Sequence, residues 1–84
     1  MVEYRAKSEH IREILLLLDH YPRCWIPLSF LKLSLNENKW IWEKWSSQGL
    51  MGALKKLGEE KVVMIDYSRV GNPYYYLERD IILI

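Results

Sequence analysis

His10, His20 and Cys24 are the chain's only soft metal-ligand side chains. A structural zinc site needs four ligands, usually in closely spaced pairs. Neither a Cys-x-x-Cys nor a His-x-x-x-His spacing occurs, so no metal is expected. Cys24 as a nucleophile would need a paired histidine and a polarised site; without them it reads as a small buried thiol. Asp19 and His20 are adjacent and point different ways on a helix. Gly49 and Gly52 lack both the spacing and the Lys-Ser/Thr ending of a phosphate-binding loop. Glu59 and Glu60 fall in a solvated turn. These residues predict neither an enzyme nor a cofactor, and the function to look for is binding.

Binding chemistry concentrates further along. From Lys44 to Gly58 there are three lysines, Lys44, Lys55 and Lys56, and no acid. Arg69 adds a cation in a later turn, and Ser46, Ser47, Gln48 and Asn72 can donate to phosphates or base edges. The opposing signal is the lack of arginine between Ser46 and Gly58, since arginine to guanine is the commonest specific contact to DNA. Gly49, Met51 and Gly52 stand instead where a helix would face outward. Each glycine costs a helix roughly 1 kcal/mol, which makes sense where a backbone must come close to something. Met51 is an adaptable apolar contact that suits protein as well as nucleic acid.

The elements that must position these residues fit one small domain of 84 residues. Half the residues are apolar, too many for a disordered chain. The net charge of +1 leaves the distribution of charge to decide the partner. One cysteine excludes an internal disulfide framework and suits a reducing compartment, although a bridge between two copies of Cys24 stays open. The polar stretch from Met1 to His10 does not read as a leader, and the apolar run from Ile14 to Leu18 is far short of the ~20 residues that span a bilayer. A soluble, cytoplasmic protein without membrane contact is expected. Threonine is absent and glutamine occurs once, a pattern that suits a thermophilic source.

Ser8 can cap a first helix in which Ile11, Ile14, Leu15 and Leu18 share one face. Leu16 and Leu17 widen that face, and Pro22 ends the helix. Cys24 to Ile26 is extended, held open by Pro27. Leu28 to Leu35 is a second helix with Leu28, Leu31 and Leu35 on one side. Asn36-Glu37-Asn38 reads as a turn before a short aromatic helix, Lys39 to Trp45. Ser46 or Ser47 then caps a helix from Gln48 to Leu57, with Leu50, Ala53, Leu54 and Leu57 inward and Gly58 as the stop. Lys61–Tyr67 and Tyr74–Glu78 form a β-hairpin around the turn residues Gly71, Asn72 and Pro73. Tyr75 and Leu77 face the helices, and Tyr74 and Tyr76 face solvent or a partner. The apolar tail Ile81 to Ile84 is either a last core strand or a dimer seam.

This order, helices followed by a hairpin, makes the chain α+β, and from Ser47 to Leu77 it resembles the winged helix-turn-helix family. Leu54-Lys55-Lys56-Leu57, Glu59-Glu60-Lys61, Val62-Val63 and Tyr75-Tyr76-Leu77 stand where that family has the end of its last helix, a charged turn, an apolar strand and a tyrosine-rich return strand. The resemblance implies a single winged-helix domain over residues 1–84 that binds double-stranded DNA, as a small transcriptional regulator. Helix 48–57 would enter the major groove and the 68–73 wing would touch the backbone. The implied DNA contacts are Lys44, Ser46, Ser47, Gln48, Met51, Lys55, Lys56, Arg69 and Asn72. A homodimer is expected, because paired half-sites suit one. The sequence departs from the family between Leu35 and Gln48, where a tight turn is usual. About a dozen residues stand there instead and hold Trp40, Trp42 and Trp45. A protein-interaction module working through Met51, the Trp40–Trp45 cluster and the tyrosine strand is the alternative. Core packing, a protein interface and base stacking are all open to the tryptophans.

Overall fold

A computed structural model describes residues 4–6, 8–79 and 81–82. It is α+β, with three α-helices and a three-stranded antiparallel sheet. Helix α1, Glu9–His20, starts at Ser8, whose Oγ accepts from the Ile11 amide at 3.3 Å. Ile14, Leu15 and Leu18 are buried as their spacing requires, while Leu16 lies exposed and does not widen the buried face. Pro22 and Arg23, the latter at φ 60°, turn the chain. Cys24 lies in this exposed segment and is not the buried thiol expected. Strand β2, Ile26–Pro27, leads straight into helix α2, Leu28–Asn36.

Helix α3, Ser47–Glu59, is capped by Ser46 and presents Leu50, Leu54 and Leu57 to the core. It runs through Gly58, which does not stop it. Gly58 serves packing, since a Cβ there would lie 2.9 Å from Cδ1 of Ile65. Backbone bonds close the end of the helix. The Val62 amide donates to the Leu57 carbonyl at 2.9 Å, and the Lys61 amide to the Gly58 carbonyl at 3.1 Å. This 6→1 and 5→2 pair is a Schellman cap. Its left-handed position is held by Lys61, at φ 64°, where glycine is usual.

Strands β3, Val63–Asp66, and β4, Tyr74–Leu77, form the hairpin, and β2 joins the far side of β4 to give the order β2-β4-β3. Tyr75 pairs with Ile26 on one side and Ile65 on the other, and this row faces the helices. Burial, with a smaller contribution from Tyr67, pushes the Tyr75 phenol up to about 12. Leu77 also packs on the core, whereas Tyr74 and Tyr76 stay half-buried on the other face, as the alternation requires. Strand β1, Tyr4–Arg5, which the polar N-terminal stretch did not suggest, pairs in parallel with β5, Ile81–Ile82. Ile81 is thereby engaged within the chain and packs against the core, as a last core strand would; Leu83 and Ile84 lie outside the described residues. Every buried residue among those described is apolar or tyrosine. No described helix is long and apolar enough to cross a membrane.

Lys61→Gly should stabilise the fold by about 0.5–1 kcal/mol. The left-handed backbone costs a residue with a Cβ ~1–2 kcal/mol, and the looser unfolded chain of the glycine variant gives back ~0.4–1 kcal/mol of that gain. Urea denaturation measures it. A variant no more stable than the parent would mean that residue 61 does not sit in the left-handed region.

Candidate functional site

The expected helix from Lys39 to Trp45 reduces to one 3-10 turn, Ile41–Glu43, flanked by Trp40 and Lys44 in extended conformation. A side chain takes up the backbone groups that a helix would have used. The Trp45 amide donates to Oδ1 of Asn36 at 2.7 Å, and Nδ2 of Asn36 donates to the Trp45 carbonyl at 3.0 Å. This two-point clamp closes the loop 37–44 onto the end of α2. A second tie holds the loop to α1, where Lys39 Nζ lies 2.7 Å from Glu13 Oε2.

The clamp also sorts the tryptophans. The ring of Trp45 packs on the core, with His10 edge-on at 5.9 Å and Lys39 Nζ 6.0 Å from its centroid. Its Nε1 is buried without a partner among the described residues. Trp40 and Trp42 point outward and stack on each other, with centroids 5.5 Å apart and planes 2° from parallel.

Directly after Trp45 the chain enters α3, and the start of α3 borders a groove of about 510 Å3. The opposite wall is the start of α2 with the hairpin tip beside it. The tip is fastened there, because Asn72 Oδ1 accepts from the Ser29 amide at 3.0 Å and the Pro73 carbonyl from the Leu28 amide at 2.9 Å. Asn72 thus caps a helix whose own cap position, Pro27, has no side chain able to do so. Gly71, at φ 76°, allows the tip to bend. Lys32 and Lys44 both line the groove, and Lys32 Nζ donates to Ser47 Oγ at 3.0 Å. No carboxylate stands among the described lining residues. Lys32, Lys44, the Ser47 hydroxyl and the Asn72 amide thus meet between one face of α2 and the first residue of α3.

The residues expected to bind fall into three groups. Lys44, Ser47 and Asn72 meet at the groove, with Gln48 exposed on the first turn of α3 beside them. Asn72 holds the Ser29 amide with its carbonyl oxygen, and its Nδ2 is its donor toward a ligand. Ser46 spends its Oγ on the Gly49 amide, at 3.0 Å. Lys55, Lys56 and Arg69 are exposed away from this groove. Lys55 borders a second depression shared with Glu59, Lys61 and Glu78, where the charges are mixed. Arg69 lies over the Tyr74 ring, 5.6 Å from its centroid. Beside it Asp66 accepts from the Ser68 amide, which holds its carboxyl below the usual range. Met51 is half-buried and packs partly against the core, outside the residues that line the groove.

Sequence reasoning missed Lys32 and Asn36. Lys32 is the one charged residue of α2, and Asn36 looked like a turn former. Their roles depend on the crossing of α2 with α3, which no local pattern encodes. Among the described residues, no group of three or more histidine, cysteine, aspartate or glutamate side chains could hold a metal ion. Comparison with models of known families, with curated proteins and with solved structures finds no match to this chain.

Asn36→Ala removes both clamp bonds and should destabilise the domain by about 1–3 kcal/mol. Urea denaturation checks this. A loss below a few tenths of a kcal/mol would show that the Lys39–Glu13 tie and the packing of Trp45 hold the loop without the clamp.

Proposed function

We propose that this chain is a winged-helix domain that binds double-stranded DNA, as a small regulator of the kind the resemblance implies, with the start of α3 in the major groove and the hairpin tip against the backbone. The element order α1-β2-α2-α3-β3-β4 and the sheet order β2-β4-β3 suit that architecture. The observation that carries the functional reading is the groove, which gathers Lys32, Lys44, Ser47 and Asn72 with no acid among its described lining residues.

In this reading Lys32 and Lys44 neutralise phosphates. Gln48 and the Nδ2 of Asn72 are the groups best placed to meet base edges. Gly52 supports close approach of a ligand to α3. It is exposed, and a Cβ built there meets nothing within 4 Å, so the fold itself does not require glycine. Gly49 differs, because its Cβ would press on the capping Ser46 Oγ at 3.0 Å.

Fluorescence anisotropy with random duplex at several salt concentrations tests the proposal. If Lys32, Lys44, Lys55, Lys56 and Arg69 all reach phosphates, the slope of log K against log salt approaches about −4.5. The Lys32→Ala, Lys44→Ala variant should flatten that slope by about 1.8. Gly52→Ala should stabilise the fold by roughly 1 kcal/mol while weakening the complex. Binding that survives the lysine double variant unchanged, or that ignores salt, would overturn the proposal.

A further inference from the structure

The groove between α2, α3 and the hairpin tip combines two kinds of lining. Leu28, which is buried, and Leu33, which is 73% exposed, supply apolar surface. The aliphatic stems of Lys32 and Lys44 add to it. The polar part is short of negative charge. Lys32 is half-buried, and its Nζ donates to Ser47 Oγ, a neutral acceptor. An ammonium carries three N–H donors and a full charge, and no carboxylate stands among the described lining residues to balance it. Drawing a charge partly out of water without a counter-charge costs free energy, which an anion in the groove recovers. The polar groups are also held before any ligand arrives, Lys32 by Ser47 and Asn72 by the Ser29 amide. The volume of about 510 Å3 falls within the ~300–1,000 Å3 of small-molecule sites, which pair apolar walls with a few fixed polar groups.

We infer that the groove is also the site of a small effector, a phosphate monoester on a compact apolar body, which excludes DNA while it is bound. Charge selects the head group. A monoester carries about −1.5 to −2 at pH 7, which two lysines match, whereas each diester of a DNA backbone carries a single charge. Ser47 Oγ accepts from Lys32 and keeps its O–H to donate, and the Nδ2 of Asn72 is a second neutral donor. Leu33 selects the body. A bare phosphate leaves that side chain in water, and an aromatic ring or short alkyl chain on the phosphate covers it. Binding of the effector stands whatever else the groove takes; only its exclusion of DNA rests on the duplex reading.

Amide and methyl shifts of the isotope-labelled chain, followed as phenyl phosphate is added, test it. Leu28, Leu33, Ser47 and Asn72 should shift together, with a dissociation constant of about 1 mM or below. Inorganic phosphate lacks the ring and methyl phenyl phosphate lacks the second charge, so each should bind at least about tenfold more weakly. Lys44→Ala, at an exposed position, should weaken phenyl phosphate by about tenfold with an unchanged circular dichroism spectrum. Leu33→Ser should erase the preference over inorganic phosphate. Phenyl phosphate should also release bound duplex beyond the effect of equal inorganic phosphate. Groove shifts in a chain that binds no duplex would support the effector site and remove the DNA reading. Duplex binding without any response to phenyl phosphate would do the reverse and overturn the inference. Equal binding of the diester, or unchanged binding by Lys44→Ala, overturns it as well.

Discussion

The placement of α3 depends on one side chain. Asn36 ends α2 and binds both backbone groups of Trp45, so the loop 37–44 leaves and re-enters the domain at one point. The next two residues are the cap and first residue of α3. Without that clamp, a loop with little regular structure would separate α2 from α3, and the direction of α3 would rest on its own apolar face. With it, Ser47 comes within hydrogen-bond reach of Lys32, and Lys44 reaches the same groove.

The hairpin tip completes the groove by the same means, a side chain serving a backbone group that its own segment cannot satisfy. Pro27 cannot cap α2, and Asn72 does so from far along the chain. The groove is therefore built from one side-chain clamp and one long-range side-chain cap, which bring α2, α3 and the tip together with their cations. The loop that makes this possible also displays two stacked indoles. The loop thus faces two ways, inward at Trp45 and outward at Trp40 and Trp42.

Most of the fold was legible because its signals are local. The Ser8 and Ser46 caps, the leucine stripes of the three helices and the alternation of Tyr74 to Leu77 each follow from short-range periodicity. The errors arose where distant contacts overrode local preference. Gly58 looked like a stop, but the close approach of Ile65 gives it a place inside α3. Lys61 took the left-handed position instead. The aromatic run 39–45 had helical spacing but lost its backbone partners to Asn36. Parallel pairing of Tyr4–Arg5 with Ile81–Ile82 joins segments too distant for any pattern to link. For the site, Lys44, Ser47 and Asn72 could be picked from residue type and position. Lys32 could not, because only the crossing of two helices gives it a role.

The most direct test of the central claim is a residue-by-residue map of amide shifts as a short DNA duplex is titrated into the isotope-labelled chain. The account predicts that Ser29, Ser47, Gln48, Gly49, Gly71 and Asn72 shift together, while Tyr4, Arg5 and Ile81 stay unmoved. Shifts confined to Trp40, Ile41 and Trp42, or none at the starts of α2 and α3, would contradict it.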